Sequence, residues 1–85
     1  MKLLLCLNCS DVRKLQMKWT YCMCKQSKGR YVDDLNAETK GKYLVPLGLH
    51  NIELVEAVYR RPKTGWGPTF TAWVIAEECP TVKQL

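Results

Sequence analysis

MKLLLCLNCSD, residues 1–11, is the stretch whose reading decides the fold. Its apolar run, Leu3 to Leu7, spans five residues and ends at Asn8. A secretory signal needs roughly 7–15 apolar residues and a small-residue cleavage site, and a membrane-spanning helix needs about 20 apolar residues. The run meets neither requirement. It predicts a soluble, intracellular protein with no membrane partner, in a compartment where thiols stay reduced and disulfides are rare. Close-spaced cysteines in that setting read first as metal ligands.

A second pair supports this reading. Cys6-Leu-Asn-Cys9 is followed, after twelve intervening residues, by Cys22-Met-Cys24. Two close pairs at this separation match a zinc ribbon, in which each pair sits on a tight turn and the intervening chain forms a hairpin arm. Four soft thiolates would surround one tetrahedral Zn2+. The second spacing is C-x-C rather than C-x-x-C, which demands a tighter or less regular turn. The competing reading is that free cysteines simply fill a core, as cysteine often does. Cys79, before Pro80, is the odd one and reads as a core or strand-end thiol.

With 85 residues the chain makes one domain,. So short a chain buries a modest core and often leans on a metal or on oligomerisation. Four thiolates would close the coordination sphere, so the expected zinc is structural. The net charge is +5 and unevenly placed: residues 1–30 carry +6, residues 31–59 carry −3, and residues 60–85 carry +2. A basic N-terminal part suits an anionic partner such as nucleic acid, a nucleotide or an acidic protein face. A solvated, lysine-rich surface that keeps a small protein soluble fits the same numbers.

Leu15 to Met23 alternates, with Leu15, Met17, Trp19, Tyr21 and Met23 on one side, predicting a half-buried strand that delivers Cys22 to a knuckle,. Gln26 to Gly29 reads as a turn, and Arg30 to Ala37 as a strand or irregular arm. Tyr43 to Leu49 reads as a strand that Pro46 confines to an edge or a bulge,. A helix is expected from Asn51, its N-cap, with Glu53 in the first turn and Pro62 beyond the end,. Ile52, Val55, Ala57, Val58 and Tyr59 would form its apolar face. Thr69 to Glu77 alternates as a last strand. The expected class is α+β: a zinc-ribbon-like β-hairpin part over residues 1–29, then a small antiparallel sheet with one helix over residues 30–85.

Catalysis looks poorly supplied, and no enzymatic activity is expected. The single histidine, His50, stands beside the helix start with no nucleophile motif,; it reads as a cap, a surface residue or a substitute zinc ligand. Asp33, Asp34 and Glu38 are a further candidate set for a hard cation,. The loop "RRPKTGWGP" is more informative. It places Arg60, Arg61 and Lys63 close to Trp66, which lies between Gly65 and Gly67. Cations beside a flat ring offer charge for phosphate and a face for a base. Trp66 folded back as a lid over the core is the alternative, since tryptophan is mostly buried. Arg13, Lys14 and Lys18 on the ribbon would steer an anionic ligand toward that grip.

The CxxC, the later CxC, "GRYVDDLNAE", "VPLGL", a short helix and the closing "FTAWVIAEECPTVKQL" together resemble a group of small proteins encoded by tailed phages and prophages. The likeness runs over nearly the whole chain. In that group the CxC is often followed by Gly, where Lys25 stands here. The resemblance implies a viral accessory protein in the host cytoplasm that counteracts host defence. The expected function is non-enzymatic binding of an anionic nucleotide or nucleic acid; the alternative is an inhibitor that docks on a host defence protein. Oligomeric state stays open.

Overall fold

The opening run becomes β1 (Lys2–Cys6) in the computed structural model, which describes residues 1–85. Leu4 and Cys6 are fully buried while Leu3 and Leu5 are half-buried, the period-two signature of a strand packed chiefly on one face. β1 is central in an antiparallel sheet ordered β2-β1-β6-β7, with β2 at Val12–Lys14, β6 at Leu44–Leu49 and β7 at Ala72–Val74. A second sheet is ordered β3-β4-β5-β8, with β3 at Thr20–Tyr21, β4 at Lys28–Tyr31, β5 at Ala37–Lys40 and β8 at Val82–Gln84. Its β5–β8 pair is parallel, the other pairs antiparallel. One helix, α1 (Asn51–Tyr59), follows β6. The fold is α+β, with the cysteine-bearing N-terminal strands completed by later ones in both sheets.

Between the sheets Leu4, Cys6, Leu15, Cys22, Ala37 and Leu44 form the core, with Cys9, Cys24, Tyr31 and Tyr43 packed against it. Only 12 of 85 residues are buried. Apolar burial on that scale stabilises a domain weakly, so the cysteine end of the core matters to the whole fold.

Several local expectations are corrected. Leu15 to Met23 is not one strand: β2 ends at Lys14, residues 15–19 cross between sheets, and β3 covers only Thr20–Tyr21. The crossover is fixed by Leu15 N–H donating to Lys2 O and by Gln16 O accepting from Tyr31 N–H. The alternation therefore breaks midway. Leu15 is in the core, whereas Met17, Tyr21 and Met23 are exposed and Cys22 turns inward. The turn expected at Gln26 to Gly29 lies earlier, over residues 23–26, and Lys28 and Gly29 already belong to β4.

Pro46 does not confine its strand to an edge, since β6 lies between β1 and β7. In an antiparallel ladder the N–H and C=O of one residue point to the same neighbour. Pro46 O accepts from Ile75 N–H, just beyond the last residue of β7. The missing N–H lies in the last pair of that ladder, opposite Ile75, so proline costs this sheet one terminal hydrogen bond and leaves the β1–β6 pairing intact,. Next along β6, Gly48 pairs with Trp73. A Cβ at Gly48 would lie 2.3 Å from Trp73 Cε2, so the indole rests directly on bare backbone. β7 itself spans Ala72–Val74 only, shorter than the alternation from Thr69 to Glu77 suggests.

The N-cap of α1 is His50, one residue before the expected Asn51: its Nδ1 accepts from Glu53 N–H at 3.2 Å. Glu53 also anchors the helix, accepting from Thr71 Oγ1 at 2.9 Å. Ala57 is the one buried helical residue. Ile52, Val55, Val58 and Tyr59 are exposed, Tyr59 to 85%. The expected core face of the helix points mostly to solvent, because Glu53, Leu54 and Ala57, three and four residues apart, are the positions turned toward the body,.

Candidate metal centre

Both cysteine pairs sit at strand ends, one in each sheet. Cys6 closes β1, and Ser10 N–H donates to Cys6 O at 2.7 Å, folding residues 7–9 into a turn. Cys22 follows β3, and Lys25 N–H donates to Cys22 O at 3.0 Å. The residue after the second cysteine of each pair turns the chain through the left-handed region: Ser10 at φ 60° and Lys25 at φ 64°. Both knuckles thus use the same device, despite C-x-x-C in one and C-x-C in the other.

The four sulfurs of Cys6, Cys9, Cys22 and Cys24 lie within 4.8 Å of one another. Cys6 Sγ is 3.7 Å from Cys24 Sγ, and Cys22 Sγ is 3.6 Å from Cys24 Sγ. A tetrahedral ion about 2.3 Å from each thiolate separates the sulfurs by about 3.8 Å. Disulfides need sulfurs about 2 Å apart, and all five cysteines are free. The set could hold a metal ion.

Side chains around the sulfurs fit the same purpose. Asn8 Nδ2 donates to Cys24 Sγ at 3.4 Å. Asp11 Oδ2 accepts from Met23 N–H at 2.8 Å, tying one knuckle to the other, and from Arg13 Nε at 2.6 Å. The Arg13 hydrogen bond, with that of Met23, holds the Asp11 carboxyl below the usual carboxylate range. Ser27 Oγ is buried with no hydrogen-bond partner. It lies beside Cys6 and favours its thiolate; with backbone hydrogen bonds from Cys9 and Asn8 it outweighs burial and brings the Cys6 pKa down to about 6. Burial pushes the Cys22 thiol up, but hydrogen bonds from the Ser27 backbone and Cys24 carry it below the ordinary range. Cys24 moves up: Asn8 and the Gln26 backbone favour its thiolate, but burial and the Cys22 and Cys9 sulfurs outweigh them. Like charges so close cannot all ionise alone. A cation among them relieves that conflict and gives Ser27 a charged acceptor.

The other expected site residues are dispersed. Arg13 and Lys14 lie on β2, at one edge of the first sheet, and Lys18 lies in the crossover; all three are exposed. Arg60, Arg61, Lys63 and Trp66 lie in the exposed segment between α1 and β7, the opposite edge strand. Three strand spacings, about 14 Å, separate those edges. Trp66 is 99% exposed: it is no lid. Asp33, Asp34 and Glu38 do not converge. Asp33 is occupied by Leu35 N–H, Asn36 N–H and Asn36 Nδ2, and Glu38 pairs with Arg30. His50 stands outside the thiol cluster. Cys79 is also outside it, at a strand end, with its carbonyl accepting from Val82 N–H.

Asn8, Asp11 and Ser27 were not singled out by sequence reasoning. Their closeness to the cysteines in the chain was the available signal: one lies inside the first pair, one two residues past it and one three residues past the second. No helix is long and apolar enough to cross a membrane. No family model, curated protein or solved structure matches the chain.

Proposed function

We propose that the chain is a small non-enzymatic binding protein, stapled by one structural Zn2+ on Cys6, Cys9, Cys22 and Cys24, whose ligand is an anionic nucleotide or nucleic acid. Four thiolates complete a tetrahedral shell and leave no open position for substrate, which suits a structural ion rather than a catalytic one. The observation that carries the ligand class is Trp66. A tryptophan exposed to 99% in a small protein, between two glycines and a few residues from Arg60, Arg61 and Lys63, is a stacking face with cations at hand. Arg13, Lys14 and Lys18 supply long-range attraction from the other edge. In the phage setting suggested by the resemblance, such a protein acts in the host cytoplasm and counters host defence by sequestering or masking that ligand.

A second reading is favoured by α1. Ile52, Val55 and Tyr59 follow one another at three and four residues on the outward face and are all exposed. An outward apolar stripe near arginines and an aromatic ring suits an inhibitor that docks on a host defence enzyme. Binding of short oligonucleotides and cyclic nucleotides across a salt series separates the readings. Phosphate contacts release counterions and give a steep salt dependence. Absence of binding to both ligand classes at low salt overturns the nucleotide reading and leaves the docking one, which a pull-down from bacterial lysate then tests.

A further inference from the structure

The solvent face of the second sheet carries a pattern that neither the thiol cluster nor the Trp66 loop uses. Gly29, Ala37, Thr39 and Val82 are buried on the inner side of β4, β5 and β8, so their alternates stand on the outer side. Register sets these in two rows. Tyr21, Lys28 and Lys40 are successive cross-strand partners, and Arg30, Glu38 and Lys83 form the row beside them. Trp19, just before β3, joins the second row: its ring centroid is 4.4 Å from Arg30 Cζ and 4.5 Å from Lys28 Nζ. The Tyr21 ring lies 5.6 Å from Lys28 Nζ.

Charge in the two rows is handled differently. Arg30 donates from Nη2 and Nε to Glu38 Oε1, at 3.0 and 3.2 Å. Lys28 and Lys40 face each other across the strands, and neither forms a salt bridge. Like charges directly opposite destabilise a sheet. An anion lying across that row removes the repulsion, and an exposed tyrosine ends it.

We propose that this face binds single-stranded nucleic acid, with Lys28 and Lys40 holding backbone phosphate and Tyr21 stacking on a base. Trp19 keeps the Lys28 and Arg30 cations in place. A single strand rather than a duplex is specified because only an unpaired base can lay its ring against Tyr21. The inference rests on the anionic-ligand reading for its ligand class, and adds to the Trp66 loop a second contact surface on the sheet.

The test measures anisotropy of a short labelled oligothymidylate against the metal-loaded full chain, over a salt series. Lys28→Gln/Lys40→Gln relieves repulsion and so keeps the fold; it is expected to make the slope of log affinity against log salt shallower by about 1.4, at about 0.7 per contact. Tyr21→Ala is expected to weaken binding about 5- to 150-fold. Arg60→Gln/Arg61→Gln is expected to change affinity less than either. If only the loop variant loses binding, or if cyclic nucleotides bind and oligonucleotides do not, the sheet assignment is overturned while the anionic-ligand reading stands. If neither ligand class binds the unaltered protein, both fall.

Discussion

Lys25 occupies φ 64° at the close of the second knuckle, where a β-carbon crowds the backbone and costs about 1–2 kcal/mol. Glycine adopts that conformation without the penalty, though it loses more freedom on folding. Lys25→Gly is therefore expected to stabilise the protein by about 1 kcal/mol, read as a rise of about 4–8 °C in melting temperature. A fall would show that the lysine side chain contributes something that the backbone geometry does not reveal. Asp11 works at the same scale through its two hydrogen bonds, to Met23 N–H and Arg13. Its lowered pKa means that its contribution is present above the unfolded carboxylate value and is lost as pH falls through the folded one,. Asp11→Ala is expected to lower the melting temperature at neutral pH and to erase that part of the acid dependence.

Helix α1 is an element whose sequence and surroundings disagree. Its apolar pattern suggests a core face, but Ile52, Val55 and Tyr59 stand on the side away from the body. Replacing Ile52 and Val55 with Gln should change stability by no more than about 0.5 kcal/mol each, as for ordinary surface positions, where core positions would lose about 2–5 kcal/mol. Equilibrium denaturation of the isolated protein reads this directly. A large loss would mean that a second chain covers the stripe in solution. The loop after α1 gives a parallel case. Trp66→Ala should leave the melting curve unchanged, since 99% of the residue is exposed, and should remove about 1–3 kcal/mol of binding if the indole stacks on the ligand. A much lower melting temperature would show it packed after all.

At the scale of the molecule, the thiol cluster joins two sheets that share a small core. Cys6 ends a strand of one and Cys22 follows a strand of the other, and both are buried in the six-residue core. Metal bound by the four thiols would be coupled to the docking of the sheets, not to a local loop,. Chelation is expected to loosen both sheets together, seen as loss of strand signal and of amide protection in β1 and β4 alike. Loosening limited to residues 7–9 and 23–26 would argue against that coupling. Metal retention should also depend on pH in a stated direction. The Cys6 thiolate is favoured down to about pH 6, so its contribution is full above the ordinary thiol range and is lost as pH falls through about 6. Acidification should release a bound metal as protons compete for the four thiolates, measured with a chromophoric chelator. Elemental analysis showing well under one zinc per chain, in protein purified without added metal, would remove the zinc assignment.

How much was legible in the sequence follows from the range of the forces involved. The cysteine cluster was legible because cysteines at short spacing need only a local turn to bring each pair together. The helix was legible too, with a cap that falls at His50 rather than Asn51, as were the α+β class and the presence of a loop after the helix, whereas the exposure of Trp66 was not. Which way Cys22 points, why Pro46 sits inside a sheet, and where β2 gives way to β3 were decided by tertiary structure. Two of these depend on pairing with strands distant in sequence, β7 for Pro46 and β1 with β4 for the crossover; Cys22 turns inward where the β3–β4 hairpin closes, its N–H donating to Ser27 O. The Lys28–Lys40 row likewise exists only through the β4–β5 register. Local patterns name candidates for burial, but cross-strand hydrogen bonds and a core of limited volume decide which of them are buried.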